Sequence, residues 1–277
     1  MSTTIDTAFV KQFEREVHSA YQRMGSKLRN TVRTSSNVQG SSVTFQKVGK
    51  GTAMTKSSGS MVPVMNLDHT AVEVQLQDYY AGDWLDKLDE IKINHDERQV
   101  IASAGAYALG RKTDEMIIAA LSNATNIVTD SGSTTGMTKS KLLQAYEILG
   151  ANEVPDDGQR FCVVGVKQWS ELLQIEEFSS ADYVGNEELP WQGSQAKKFL
   201  GTTFMVHNAL PIDGADVRSC FWFHKTAIGH AIGAEVETDI TWHGDRAAHF
   251  VNNMMSQGAG LIDADGIVII ECDETPA

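Results

Sequence analysis

The chain has 277 residues, of which 42% are hydrophobic, and a formal net charge of −13. This length and composition fit one or two globular domains, and the acidic balance argues against tight nucleic-acid binding over the whole surface, because phosphate contacts need clustered Lys and Arg. No apolar run reaches the ~18 residues of a membrane span, and the first residues lack the basic and apolar regions of a signal peptide. We therefore expect a soluble protein that is not exported.

The first predicted element is an amphipathic helix in residues 6–24. Its apolar stripe repeats at helical spacing and includes Phe9, Phe13, Val17 and Met24. The polar residues 30–42 follow and are interpreted as an irregular tether. We therefore predict an N-terminal arm, residues 1–42, whose stripe is buried some distance away, with a partner subunit as the candidate surface.

Two segments that alternate apolar and polar residues, 43–47 and 71–77, predict the strands of a long β-hairpin. An isolated two-stranded hairpin is marginal in water. It must therefore lie on a surface of its own chain or of a neighbouring subunit. We assign residues 43–82 to this extended hairpin loop and favour the neighbour, because arm and hairpin both precede the longest helix.

The longest helical pattern covers residues 93–124, within a predicted segment 83–136. Asn94 and Glu97 have the spacing of a capping box at its start. The apolar residues near 3.6-residue spacing are Val100, Ile101, Ala104, Ala108, Ile117, Ile118 and Leu121. The charged residues that lie mostly off this stripe are Arg98, Lys112, Asp114 and Glu115. One buried face is expected, and a core helix of an ordinary α/β enzyme is the alternative interpretation.

Residues 137–230 have the pattern of an α/β subdomain. Its predicted elements are a helix at 139–149, a strand at 160–165, a helix at 167–175 and strands at 203–207 and 220–224. Residues 231–277 turn to β-structure, and the alternation at 236–242 predicts a strand with one solvated face. This strand, 247–255 and 267–272 are expected to form one antiparallel sheet against the long helix.

Motifs for catalysis or metal binding are not found. Residues 47–56 lack the spacing of a phosphate loop, and residues 263–266 start like a calcium loop but lack its later ligands, so a β-turn is predicted there. The histidine pairs His224 with His230 and His243 with His249 are interpreted as structural or surface residues. The widely spaced Cys162, Cys220 and Cys272 are expected to be buried reduced thiols. We therefore predict no enzyme, no cofactor and no metal.

Four phrases of the sequence carry a family resemblance: residues 160–173, 180–185, 223–233 and 245–271. They resemble major capsid proteins of tailed bacteriophages, which have the Hong Kong 97 type of capsid fold. The resemblance implies an α+β fold with an N-terminal arm, an extended β-hairpin loop, a long spine helix with a peripheral antiparallel sheet, and an α/β axial domain. The predicted order of elements agrees with it over the whole chain.

The resemblance also implies a structural function. Such a protein self-assembles through hexamers and pentamers into the icosahedral head shell of the virion, around double-stranded DNA that it contacts without specificity, and it is assembled in the host bacterial cytoplasm. A portal is an implied partner. Because the chain begins almost at the arm, either a separate scaffolding protein is implied or the chain is a processed form, and the initial Met1 speaks against processing. Some relatives crosslink a hairpin lysine to a neighbour's asparagine, for which the candidates are Lys47, Lys50, Lys56, Asn252 and Asn253. An encapsulin-like nanocompartment shell and a soluble α/β enzyme are the alternatives.

Charge is distributed unevenly along the chain. Residues 1–56 carry nine Lys or Arg and three Asp or Glu, a net of +6, so the remainder carries 14 basic and 33 acidic residues, a net of −19. The basic residues would either keep an arm soluble or face DNA without specificity, or they would contact the acidic bodies of neighbouring subunits. We favour the second interpretation, with Lys47, Lys50 and Lys56 as contacts.

Overall fold

The fold is given by a computed structural model, which describes residues 25–92, 96–129, 135–179, 196–214 and 216–274. The chain divides into two compact units. The first unit contains residues 78–112 and 235–255 together with residues up to 26, and the second unit contains 27–77, 113–234 and 256–277. The predicted arm stripe, Phe9, Phe13, Val17 and Met24, lies outside the described residues. None of the described helices is long and apolar enough to cross a membrane.

The elements follow one another in this order. The first half consists of β1 (Arg33–Ser35), β2 (Ser42–Val48), β3 (His69–Gln75), β4 (Gln77–Asp86), α1 (Lys87–Lys92), α2 (Glu97–Leu121) and β5 (Ile127–Val128). The second half consists of α3 (Lys139–Ala151), β6 (Arg160–Val164), α4 (Val166–Leu173), α5 (Glu176–Ser179), β7 (Ala196–Phe199), β8 (Thr202–Val206), β9 (Val217–His224), β10 (Ile228–His243), β11 (Ala248–Leu261) and β12 (Ile267–Asp273). Helices and strands are therefore mixed, as expected for an α+β fold.

The second unit is built on a six-stranded sheet in the order β5-β12-β9-β6-β8-β7. Its central strands are continuous apolar runs, which is typical of strands covered on both faces. In β9 the side chains of Phe221, Trp222 and Phe223 are all completely buried. The strands and helices predicted for residues 139–175, 203–207 and 220–224 are confirmed, with ends shifted by up to three residues.

The last strand, β12, corrects the predicted grouping of the C-terminal strands. We expected it to join β10 and β11 in one antiparallel sheet, but it lies between β5 and β9 in the six-stranded sheet. Its pairing with β9 runs antiparallel from Ile267 opposite Phe223 to Asp273 opposite Val217. The run IVII is buried at every position, so it needs a partner surface on both faces.

The second sheet has the order β1-β10-β11-β4. Residues 228–232 of β10 are buried, whereas residues 235–242 are exposed at every position. The prediction of one solvated face for this strand is therefore wrong, because both faces are solvated within the single chain. The predicted irregular tether is also wrong in part: β1 pairs in parallel with Gly229–Ala231, and Val32 before it is 1% exposed.

The long helix is shorter in the described residues than predicted. It runs from Glu97 to Leu121 instead of over 93–124, and the proposed cap Asn94 lies outside the described residues. Of the predicted stripe only Ile117, Ile118 and Leu121 are buried. Asp114, which was placed off the stripe, is completely buried. A charged group is kept there only when its hydrogen-bonding capacity is satisfied.

Candidate assembly surfaces

The base of the hairpin packs on its own chain. The strands β2 and β3 pair antiparallel from Ser42 opposite Gln75 to Val48 opposite His69, which confirms the predicted hairpin. Phe45 and Val74 are 4% and 3% exposed and form a small apolar cluster with Ala231 and Ile262. Our preference for a neighbouring subunit as the supporting surface is therefore wrong for this end of the hairpin.

Glycines shape the surface on which the hairpin base lies. A Cβ atom on Gly229 would come within 2.6 Å of the Phe45 ring, and one on Gly260 within 2.6 Å of a Val74 methyl group. Such distances are far below van der Waals contact, so side chains at these positions would displace the hairpin. The two glycines fall in sequence phrases that carried the family resemblance, residues 223–233 and 245–271. Because these two residues lack a side chain, the hairpin strands can pack closely on β10 and β11.

Two of the three predicted contact lysines bind acidic residues of their own chain. Lys47 Nζ lies 2.7 Å from Asp263 Oδ1, and Lys50 Nζ lies 2.9 Å from Glu153 Oε2. The hydrogen bond from Lys50 lowers the pKa of Glu153, and the same bond raises the pKa of Lys50. Both partners of this second pair are largely exposed, so we expect it to add little stability.

These ion pairs lie at a cleft of about 370 Å³ beside the hairpin base. The cleft is also lined by residues 152–155 and by His224, whose ring nitrogen Nε2 is 3.1 Å from Asp157 Oδ1. The site thus joins charged side chains without the ligand geometry of a metal centre. Among the described residues, no group of three or more His, Cys, Asp or Glu side chains is placed to hold a metal ion.

The loop between the hairpin strands, residues 49–68, presents apolar side chains to solvent. The large ones that are more than half exposed are Met54, Met61, Val62 and Val64, and Met61 reaches 94%. Lys56, the third predicted contact lysine, is exposed in the same loop. Several large apolar side chains exposed in one loop indicate a binding surface or an aggregation liability.

In the first unit, the exposed half of β10 separates apolar from acidic residues. Val236, Ile240 and Trp242 alternate with Glu237 and Asp239, because successive side chains of a strand point to opposite faces. The three apolar side chains are 38%, 45% and 48% exposed. This half-strand is the second surface that a single chain leaves open.

The asparagine candidates for crosslinking differ in access. Asn253 is completely buried, donates from Nδ2 to the carbonyl oxygen of Ala81 at 3.2 Å, and accepts from Thr238 Oγ1 at 2.6 Å. It also packs against Gly105 of α2. The amide nitrogen that an isopeptide bond to lysine would release as ammonia is therefore hydrogen-bonded within the chain, whereas Asn252 is only half-buried.

Sequence reasoning did not find the hydrogen-bonded group around Asp114. This side chain is bonded to His207 and to the backbone of Lys27 and Leu28. A signal was present, because Asp114 is three and four residues before Ile117 and Ile118 and so shares their helix face. We did not use this signal because a charged side chain was expected to be exposed.

The family assignment rests on the sequence. A family model described as phage capsid protein matches residues 5–274. The chain belongs to the phage capsid protein family. No curated protein sequence matches it.

Solved capsid structures have the same fold as this capsid protein. The capsid structure of cyanophage P-SCSP1u is similar with a TM-score of 0.77 and 18% identity, over 99% of this chain and 96% of that one. A structure of Mycobacterium phage Che8 gives 0.73 and 18%, over 95% and 97%, and the capsid of Ralstonia phage GP4 gives 0.71 and 13%, over 100% of both chains. The predicted fold class and the resemblance to tailed-phage capsid proteins are confirmed. Family and fold together make the chain a shell protein of the tailed-phage type, with a structural role.

Proposed function

We propose that this capsid protein self-assembles through hexamers and pentamers into an icosahedral head shell around double-stranded DNA, with a separate scaffolding protein and a portal as partners, in the host bacterial cytoplasm. The observation that carries the proposal is the hairpin. Its base is seated on its own chain, while its loop exposes Met61, Val62 and Val64 to solvent. An anchored element with an apolar end is suited to bind a neighbouring copy.

In this proposal, different segments of the chain have different functions in assembly. The arm, residues 1–42, contributes the stripe Phe9, Phe13, Val17 and Met24, and the hairpin segment 43–82 contributes its loop. The spine segment 83–136 and the axial segment 137–230 form the body, to which residues 231–277 return. Lys47 and Lys50 bind acidic residues of their own body, which leaves Lys56 as the lysine that faces a neighbour.

The receiving surface on the neighbour is the exposed half of β10. Its apolar residues Val236, Ile240 and Trp242 match the apolar loop in character. Charge also matches, because residues 51–67 contain Lys56 and no acidic residue, whereas residues 235–241 contain three acidic residues and no Lys or Arg. Complementary charge of this kind sets register and partner choice, and the apolar contacts supply most of the affinity.

The test replaces Met61 and Val62 by Asp together. These side chains are 94% and 73% exposed, so the variant chain is expected to unfold at the same temperature as the wild type. Shells seen by electron microscopy should be lost, because two charges would be buried in the contact. Leu143→Asp is the matched control, since Leu143 is 49% exposed on α3 outside the hairpin. Normal shells from the double variant would refute the proposed loop contact, and shells without nuclease-protected DNA in infected cells would favour an encapsulin-like compartment.

A further inference from the structure

A buried carboxylate joins three separate parts of the second unit. Asp114 in α2 is completely buried. Its Oδ2 atom accepts from the backbone nitrogen of Lys27 at 3.1 Å, and its Oδ1 atom accepts from that of Leu28 at 3.1 Å. His207, directly after β8, places Nε2 3.0 Å from Oδ2. The first residues after the predicted arm helix are thus bonded to the long helix and to the end of an axial strand.

The hydrogen bonds define the protonation of this group. The backbone nitrogen of Ala209 donates to His207 Nδ1 at 3.2 Å, so Nδ1 has no proton of its own. The proton of a neutral imidazole is then on Nε2, which donates to Asp114. Among the described residues, two backbone nitrogens and the imidazole therefore donate to the carboxyl group. These hydrogen bonds offset the cost of burying it.

We propose that Asp114 is the positioning residue that fixes the point from which the N-terminal arm leaves the body, and so sets the reach of the arm toward a neighbouring subunit. This inference rests on the proposed role of the arm in assembly. Leu28 is completely buried, so the anchor is part of the core. Met24, the last residue of the stripe, precedes Lys27 by three positions, and a chain of that length spans at most about 11 Å. If residues 27 and 28 are held by Asp114, the start of the arm is fixed relative to α2.

Asp is suited to this position for a geometric reason. Its two oxygens accept from two successive backbone nitrogens, in the manner of a helix cap, and one of them also accepts from the imidazole. In Asp114→Asn the shape is kept, but an NH₂ group replaces one of the acceptor oxygens and faces a backbone donor. The variant should therefore release residues 27 and 28 without opening a cavity.

The chain offers a matched control one residue away. Thr113 is 3% exposed and donates from Oγ1 to Gln257 Oε1 at 2.9 Å, so this side-chain bond goes to β11. Thr113→Val removes this buried hydrogen bond with little change of shape. It reproduces a general loss of stability in the same helix and leaves the anchor intact.

The experiment measures amide hydrogen exchange in the unassembled full-length chain. We expect Asp114→Asn to accelerate exchange at Lys27 and Leu28 by about tenfold or more over Thr113→Val, because bonds to a charged acceptor are among the stronger ones. Lys27→Pro deletes one donor from the other side of the same bond and should accelerate exchange at Leu28 as well. This second variant decides the question if Asp114→Asn does not fold.

Shell formation is scored for the same variants and for a chain lacking residues 1–24. We expect Asp114→Asn and the arm deletion to reduce shell yield at least about fivefold relative to Thr113→Val. Exchange at residues 27 and 28 equal to that of the control would overturn the anchor while leaving the role of the arm untouched. Faster exchange with normal shells from Asp114→Asn would also overturn the inference, provided that the arm deletion still blocks assembly. Normal shells from the arm deletion would refute the proposed role of the arm and the assembly part of the inference with it.

Discussion

Because the hairpin packs against Gly229, we expect the effects of substitutions at Phe45 and Gly229 on stability to be non-additive. Replacing Phe45 by Ala removes a ring that is 4% exposed and contacts the small cluster with Val74, Ala231 and Ile262. Loss of a buried Phe costs about 3–5 kcal/mol, and we expect about 3 kcal/mol because the cluster is small. The hairpin pairs with no other strand of the described chain, so this loss should open it locally.

The companion substitution is Gly229→Ala, which places a methyl group within 2.6 Å of the Phe45 ring. Overpacking of this kind costs about 1–3 kcal/mol. In the Phe45→Ala background the ring is gone, so Gly229→Ala should then cost almost nothing. The coupling in a double-mutant cycle should therefore nearly equal the cost of Gly229→Ala alone.

Hydrogen exchange gives both quantities in the same measurement. The amides of β2 and β3 should report the loss, while those of β9 in the six-stranded sheet should keep their protection, because elements of a protein open in separate units. Equal costs for Gly229→Ala in the two backgrounds would refute the packing argument. Equal loss of protection in β9 would show that the hairpin is not a separate unit.

Two further predictions concern titrating groups. The hydrogen bond with Lys50 lowers the pKa of Glu153 from its ordinary value of 4.5. The stabilisation from this pair is therefore present above pH 4.5 and is lost as the pH falls through the lower pKa of the folded state. In that acidic range, exchange of the hairpin amides, corrected for intrinsic rates, should rise in the wild type and stay constant in Glu153→Gln. The hydrogen bond with Cys220, together with burial, raises the pKa of Cys272, and Cys162 and Cys220 are also buried. All three thiols should resist alkylation in the native protein and react on unfolding, and alkylation of the folded chain would contradict their burial.

The sequence predicted elements whose signals are local. The strands β2 and β3 were predicted from their period-two alternation, and β6 and β9 from their apolar runs. These predictions are confirmed because each pattern lies within one strand. The partner of β12 was not predictable in this way, since a run of buried residues fits the interior of either sheet. The neighbours that give it two covered faces, β5 and β9, come from distant parts of the chain.

The intrachain contacts of the candidate assembly residues were not predictable from the sequence, for a related reason. Lys47 and Lys50 were identified as contact residues from charge, but their partners Asp263 and Glu153 are 216 and 103 residues away in sequence. Residues 30–42 were predicted to be irregular because their composition is polar, but β1 within them is stabilised by pairing with β10. Asp114 was placed off the buried stripe because it is charged. Charged side chains are usually exposed, but this one is buried because hydrogen-bond donors inside the protein contact it.

The central claim is that this chain is a shell-forming protein whose hairpin loop binds a neighbouring copy. Electron microscopy of the purified protein, alone and with the proposed scaffolding protein, tests it most directly. We predict closed shells in which residues 49–68 of each subunit lie on the exposed half of β10 of a neighbour. Uniform monomers under all conditions, or shells in which this loop remains in solvent, would contradict the account.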